Sequence, residues 1–321
     1  MPIADLVKIW DRFWFSQSSP LPVAAYRILF GAISFFNFLF LLPDLYVWLG
    51  SRGVTSRQEV INWTGVPGLE IFNIFPDNDN FMTFCIVVFM VASIGLCIGF
   101  KSRLCSVILF IGFNALYHRD PFILNSGDTY MRVSVFWLIF AATGNALAVD
   151  SRKNARTVEN PSGSVFDNYK PVSIWPLRLL QLQLAMVYCH TFYRKFPGAS
   201  WVDGNAVYYS SRVEDLQRFP MPFIFDHLWT IQFFTWSTLA LEFALFTLIW
   251  IKETRYIVLA CGVIFHLTID YHMNIPFFEY IMIASYVLFV DSKDIARVLR
   301  FFRDRLCKKT LASPGGTTEV S

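Results

Sequence analysis

Apolar residues recur along this chain in long runs separated by short polar segments. Eight runs read as membrane spans, near 22–43, 80–99, 104–118, 130–148, 174–194, 229–250, 256–271 and 276–290. A helix needs about 20 apolar residues to cross the hydrocarbon core, so the third, seventh and eighth runs predict tilted or partly buried helices. The basic connections Lys101–Arg103 and Lys252–Arg255 predict tight turns. Longer polar segments occupy 44–79, 151–173 (with Asn160-Pro-Ser-Gly-Ser164) and 196–228. Within the last of these, Asn205–Arg218 predicts an amphipathic helix lying on the membrane. The fold class is therefore an all-α integral membrane protein, a bundle of about eight transmembrane helices with outer amphipathic segments. A cytoplasmic N-terminal segment (1–20) precedes the transmembrane domain (21–295). A basic tail (296–321) follows and is expected to be disordered after Thr310.

Composition supports the span reading. The chain is 55% hydrophobic and 16% charged, whereas a soluble domain carries about a quarter charged residues. The net charge of +3 is spread over short loops and one tail, which excludes a nucleic-acid surface and leaves membrane lipids as the general surroundings. Placing the N-terminus in the cytoplasm puts about 17 Lys and Arg on the cytoplasmic side against about 7 outside. Both termini are then cytoplasmic, and no cleavable signal peptide is expected, because the first apolar run is long enough to span. Of the six cysteines, all but Cys307 lie in or beside apolar runs, where small packing residues are expected. No ligand spacing suggests a metal site.

The polar residues inside the apolar runs carry the candidate chemistry. Gln181, Tyr188 and Lys195 fall on one helical stripe at steps of seven, and polar groups in a span should face the protein interior. Lys195 reads either as a base, its amine kept neutral by apolar surroundings and the neighbouring Arg194, or as a lysine snorkelling from a helix end. The stretch Trp201–Tyr209 contains an Asp203-Gly204 turn, and Asp203 could cap a helix or pair with Lys195. Asn125-Ser-Gly-Asp-Thr-Tyr-Met-Arg132 opens the fourth span. Asp128 suits the positive end of that helix, and four-residue spacing allows it to pair with Arg132. His266 and Asp270 have the same spacing, so the carboxylate could orient the imidazole. Glu242 sits in mid-span with no partner evident from the sequence, and Arg27 is expected to snorkel. On the predicted topology, His118, Asn125, Asp128, Lys195, Asp203, Asp270, His272 and Asn274 gather at the extracytoplasmic ends of the spans. Nucleophile-elbow, Walker, zinc-protease and dinucleotide fingerprints do not occur.

Several segments in this order resemble the HTTM family, a membrane domain shared with vitamin K-dependent gamma-glutamyl carboxylase. The marks are Tyr26-Arg-Ile-Leu-Phe-Gly31; His118-Arg-Asp-Pro-Phe-Ile-Leu-Asn-Ser-Gly-Asp128 with Arg132 and Asp150; Gln181-Leu-Gln-Leu-Ala-Met-Val-Tyr188 with Lys195 and Trp201-Val-Asp-Gly204; and the His266 span with Phe277-Phe-Glu-Tyr-Ile-Met282. The resemblance implies that Lys195 is the base that initiates oxidation of a reduced lipid quinone, vitamin K-like. The oxygenated quinone would then deprotonate a glutamate, to which carbon dioxide adds. By the same resemblance the substrate is a secreted peptide or small molecule on the outer side. The implied pocket includes Asn125, Asp128, Arg132, Gln181, Tyr188, Trp201, His266 and Asp270. Gly127 or Asp128 stands where the carboxylase motif carries a histidine. The alternative is a non-catalytic membrane partner that helps mature, export or confer immunity to a secreted peptide toxin. An apolar pocket reaching the Lys195 amine would favour the enzyme.

Overall fold

The computed structural model describes residues 3–64, 71–75, 78–151, 169–221 and 226–311. Helices dominate and occur at every predicted span: Leu21–Leu41, Asp79–Ile98, Ser102–Arg119, Ser126–Phe140, Trp175–Lys195, Leu228–Thr247, Lys252–His272 and Phe278–Ser285. Among the described residues, three helical stretches are long and apolar enough to cross a membrane by length and composition: Leu21–Trp48, Asp79–Ile98 and Leu228–Trp250. Phe278–Phe289 is a shorter apolar helix. The segment 152–168, Pro222 and the tail beyond 311 lie outside the described residues.

Local chemistry sets the helix ends. Pro22 and Pro176 occupy first turns, where a missing N–H has no helical partner to lose. Asn78 accepts a hydrogen bond from the Phe81 N–H and starts the Asp79–Ile98 helix. That helix stops at Gly99, whose φ of 75° suits glycine. Lys101 follows at φ 43°, and its N–H donates to Asp150 Oδ2 at 2.7 Å, so the predicted tight turn is pinned from a distant segment.

The bundle has two distinguishable ends. The short pair Gln17–Ser18 with Val172–Ser173 joins the start of the first span to the start of Trp175–Lys195. Near that same end, Arg27 reaches the carbonyls of Leu96, Cys97 and Leu147. The Gly99–Ser102 turn therefore shares an end with Trp175, and Lys195 lies at the other end of its helix.

Outward-facing side chains are apolar. Phe84, Val87, Val91, Ile94 and Ile98 form an exposed stripe on one helix, and Ile257, Ile264, Leu267 and Tyr271 form one on another. Large contiguous apolar faces of this kind are rare in water and ordinary in lipid.

Three expectations are corrected. Arg27 does not snorkel: it is fully buried, because three backbone carbonyls, two at the end of the Asp79–Ile98 helix and one in the 141–151 turns, give its guanidinium the partners it would otherwise seek in water. The fourth span ends at Phe140 instead of 148. Residues 141–151 fold into turns, held by the Asp150 contact and by Val149 N–H donating to Ile98 O at 3.1 Å. No continuous amphipathic helix covers Asn205–Arg218; Ala206–Ser210 and Glu214–Leu216 are separate short pieces. Arg218 pins the chain there, donating to Asp270 and Asn274 through its guanidinium and to the His272 carbonyl through its backbone N–H.

Candidate functional site

Lys195 ends its helix, and helical side chains tilt toward the N-terminus. The amine is thereby directed back into the bundle, where it forms an ion pair and hydrogen bond with Glu242 Oε1. The Glu242 side chain is 4% exposed and that of Lys195 29%. Asp203 is not the partner; it closes the Ala199–Val202 turn of helix. The amine also lies 4.9 Å from the centre of the Trp201 ring, a cation–π contact. Trp201 is presented by the turn ending at Gly204, whose φ of 77° lets the backbone press against Gln232 and Trp236.

Beside the pair is a cavity of about 280 Å³, with Lys195, Trp201, Met221, Phe234, Phe265 and Ile269 among its lining residues. Its lining is mostly apolar, with Thr238, Thr268 and His272 supplying polar groups. Ligand pockets commonly span about 300–1,000 Å³, so this one suits a flat ring more than a long tail. On the far side of the pair, Glu242 Oε2 is buried with no hydrogen-bond partner among the described residues.

A second, sealed cluster lies deeper. His266 Nδ1 contacts Glu279 Oε2, and the two side chains are 2% and 0% exposed. The Tyr188 hydroxyl is 2.7 Å from His266 Nε2 and 2.7 Å from the Tyr286 hydroxyl. One set of roles satisfies the whole chain. Tyr286 donates to Tyr188, Tyr188 donates to Nε2, and the Nδ1 proton faces the Glu279 carboxylate. Gly262, one turn before His266, makes room for this arrangement, since a Cβ there would sit 2.6 Å from the Tyr286 oxygen. His266 is also within electrostatic reach of Glu242, so the two clusters are neighbours.

The structure sorts the sequence candidates. Lys195 and Trp201 meet at the cavity, and Tyr188 meets His266 in the sealed cluster. Gln181 is buried and donates to the Leu288 carbonyl at 2.7 Å, bracing the segment that carries Tyr286. Asn125 and Asp128 form a capping box. Asn125 Nδ2 also donates to the Pro276 carbonyl at 2.9 Å, which fixes the entry to the helix bearing Glu279.

Two expected contacts do not form. The Arg132 guanidinium lies 3.6 Å over the Tyr117 ring, while Asp128 is taken up by the Asn125 N–H and by Asn37. Helix capping draws Asp128 away from Arg132. Asp270 does not orient His266: it binds Arg218 and the Tyr280 hydroxyl. Glu279 fills that role from a different helix.

Sequence reasoning assigned no role to Glu279 or Tyr286. Glu279 sits inside the marked Phe277–Met282 stretch, and a carboxylate in an apolar helix is itself a signal that a buried partner exists. Glu242 gave the same signal, and its partner proved to be Lys195, 47 residues away.

A family model described as the HTTM domain matches residues 15–293. No solved structure matches the chain. The match covers all of the residues that build both clusters, and the chain belongs to the HTTM domain family, a membrane domain related to the vitamin K-dependent carboxylase.

Proposed function

We propose that this membrane protein is an enzyme acting with a reduced lipid quinone on a secreted peptide or small substrate, with Lys195 as its base. The reading includes about eight spans, cytoplasmic termini and an extracytoplasmic site. The observation that carries it is the Lys195–Glu242 pair at the wall of an apolar cavity. Trp201, Phe234 and Phe265 offer flat apolar faces suited to a quinone ring, and the Lys195 amine lies where a ring hydroxyl would need a proton acceptor.

The pair has two proton arrangements, ammonium with carboxylate or amine with carboxylic acid. Taking charges out of water penalises the first, so a partly dry setting narrows the gap between them. In the second, Lys195 is a free amine facing the cavity. It takes a proton from the bound hydroxyl, and Glu242 then holds the resulting ammonium in place. The apolar residues around the pair limit its contact with water, Glu242 being 4% exposed and Lys195 29%, which strengthens these interactions. When bound, the reduced quinone would supply the electrons for its own reaction with dioxygen, and the oxygenated quinone would be the strong base that the substrate's deprotonation needs.

The test is oxidation of an added reduced menaquinone by the purified protein, followed by chromatography. Lys195→Ala abolishes turnover while expression and melting temperature stay near wild type. Turnover in Lys195→Ala equal to wild type would reject the assignment. A cavity that takes up no quinone would leave the maturation, export or immunity partner as the better reading.

A further inference from the structure

A second cavity lies at the opposite end of the bundle from Lys195, about 600 Å³ in volume. Its rim carries Lys101, Ser102, Arg103 and Thr143, and its floor carries Leu104, Val107 and Ala141. Four observations converge there. The Ser102–Arg119 helix begins at the cavity with no side chain capping it. Its first-turn N–H groups and positive dipole end thus point toward an acceptor that the described residues do not provide. Ser102 is 3% exposed, and its Oγ has no hydrogen-bond partner among the described residues. Two cations, Lys101 and Arg103, flank it, against one carboxylate, Asp150, of which Oδ2 already accepts from the Lys101 N–H. Gly144 lines the same cavity, and a Cβ there would come into ordinary contact with Ser102 Oγ at 3.8 Å.

We propose that this cavity binds the phosphate headgroup of an acidic phospholipid. A helix N-terminus with a buried hydroxyl and two cations is suited to a phosphate. The position selects the lipid form. The membrane-length helix Asp79–Ile98 ends at this turn, which sets the rim at headgroup depth. Below it, Ile98, Phe100, Leu104 and Phe140 are exposed apolar side chains on which acyl chains can lie. The phosphate sits at the rim, accepting from Ser102 Oγ, the first-turn N–H groups and Arg103, while the glycerol and acyl carbons follow Leu104 and Val107. The site is independent of the Lys195 chemistry and serves to hold the bundle at one membrane face.

The experiment uses the purified, delipidated full chain in detergent. Phosphatidylglycerol, phosphatidylcholine and inorganic phosphate are each titrated and read by melting temperature, with native mass spectrometry counting retained lipid. Phosphatidylglycerol is expected to raise the melting temperature and to remain bound. Arg103→Gln, an exposed position, weakens this about fivefold, the effect of one basic group near a membrane surface. Ser102→Ala weakens it by a similar factor, and Gly144→Leu, which fills the cavity without changing charge, removes it. Equal stabilisation by inorganic phosphate would assign the site to free phosphate and overturn the lipid. Equal stabilisation by phosphatidylcholine, or wild-type affinity in Arg103→Gln and Gly144→Leu, would overturn the site altogether.

Discussion

The Lys195–Glu242 and His266–Glu279 pairs are built from the same materials: one base and one buried glutamate from a different helix. They differ in access. Lys195 is at the end of its helix, partly exposed, beside a cavity. His266 is sealed, with two tyrosines occupying the side away from its carboxylate. The first pair can meet a ligand, and the second can only be felt through its neighbours. On the proposed reading, chemistry is assigned to the first pair, and the second acts as a polar brace that sets helix positions around it.

The sharpest way to break this comparison is to remove each carboxylate's role in turn. Glu279→Ala leaves the His266 Nδ1–H buried without its acceptor and opens a cavity beside it, and is expected to cost about 3–5 kcal/mol, read as loss of melting temperature and of folded yield. Lys195→Met should cost much less, under about 1 kcal/mol, because Glu242 can take up a proton beside a cavity that water can enter. If the two variants lose equal stability, the distinction between an accessible pair and a sealed one fails.

The tyrosine chain gives the next largest effect. Tyr188 serves two partners, so Tyr188→Phe strands both His266 Nε2 and the Tyr286 hydroxyl, at about 1–3 kcal/mol for each stranded group. Tyr286→Phe removes only a donor to Tyr188, which keeps its own bond to His266, and should cost about 1 kcal/mol. Thermal melts of both variants test the order. A larger loss in Tyr286→Phe would reverse the direction of the relay assigned above.

These two clusters also mark where the sequence could be read and where it could not. Helix positions were legible because an apolar run has to find lipid or core, and every run contains a helix. The helix start at Asp128 was legible too, since a carboxylate suits the positive end of a helix, whereas the Asn125 cap was not read from the sequence. Pairings across helices were not legible. His266 has an acid four residues away, and local spacing pointed to Asp270. The fold instead presents Glu279 from the next helix, and Arg218 competes for Asp270. Arg27 failed for the same reason, because the carbonyls that satisfy it come from Leu96 and Leu147, far along the chain. Helix periodicity shows which face a residue occupies and leaves open which helix that face meets.

Gly262 offers a finer test of the sealed cluster. An added methyl would meet the Tyr286 hydroxyl at 2.6 Å, so Gly262→Ala is expected to cost about 1–3 kcal/mol by overpacking, less what it gains in helix propensity. Combining it with Tyr286→Ala removes the oxygen and the ring carbons that obstruct the added methyl. The double variant should then be more stable than the sum of the two single losses, by about 1 kcal/mol. Strict additivity would mean that the glycine is not there to admit the tyrosine.

The smallest expected effect decides the assignment of the histidine's partner. Asp270 is four residues from His266 and lies on the same helix, which makes it the natural candidate from spacing alone. Its carboxylate instead meets Arg218 near the surface, with side-chain exposures of 32% and 16% for the arginine and the aspartate, and partly exposed pairs of this kind contribute about 0–1 kcal/mol. Asp270→Asn should therefore lower stability by under about 1 kcal/mol and leave the imidazole nitrogen resonances of His266 where they are in the wild-type protein. Glu279→Gln, at the same level of conservatism, should shift them, because an amide facing Nδ1 no longer accepts the proton as a carboxylate does. Two glutamine-for-glutamate or asparagine-for-aspartate swaps, each deleting one negative charge within reach of one ring, thus separate proximity along the helix from contact across the bundle, and a shift in Asp270→Asn without one in Glu279→Gln would return the histidine to the partner that spacing suggested.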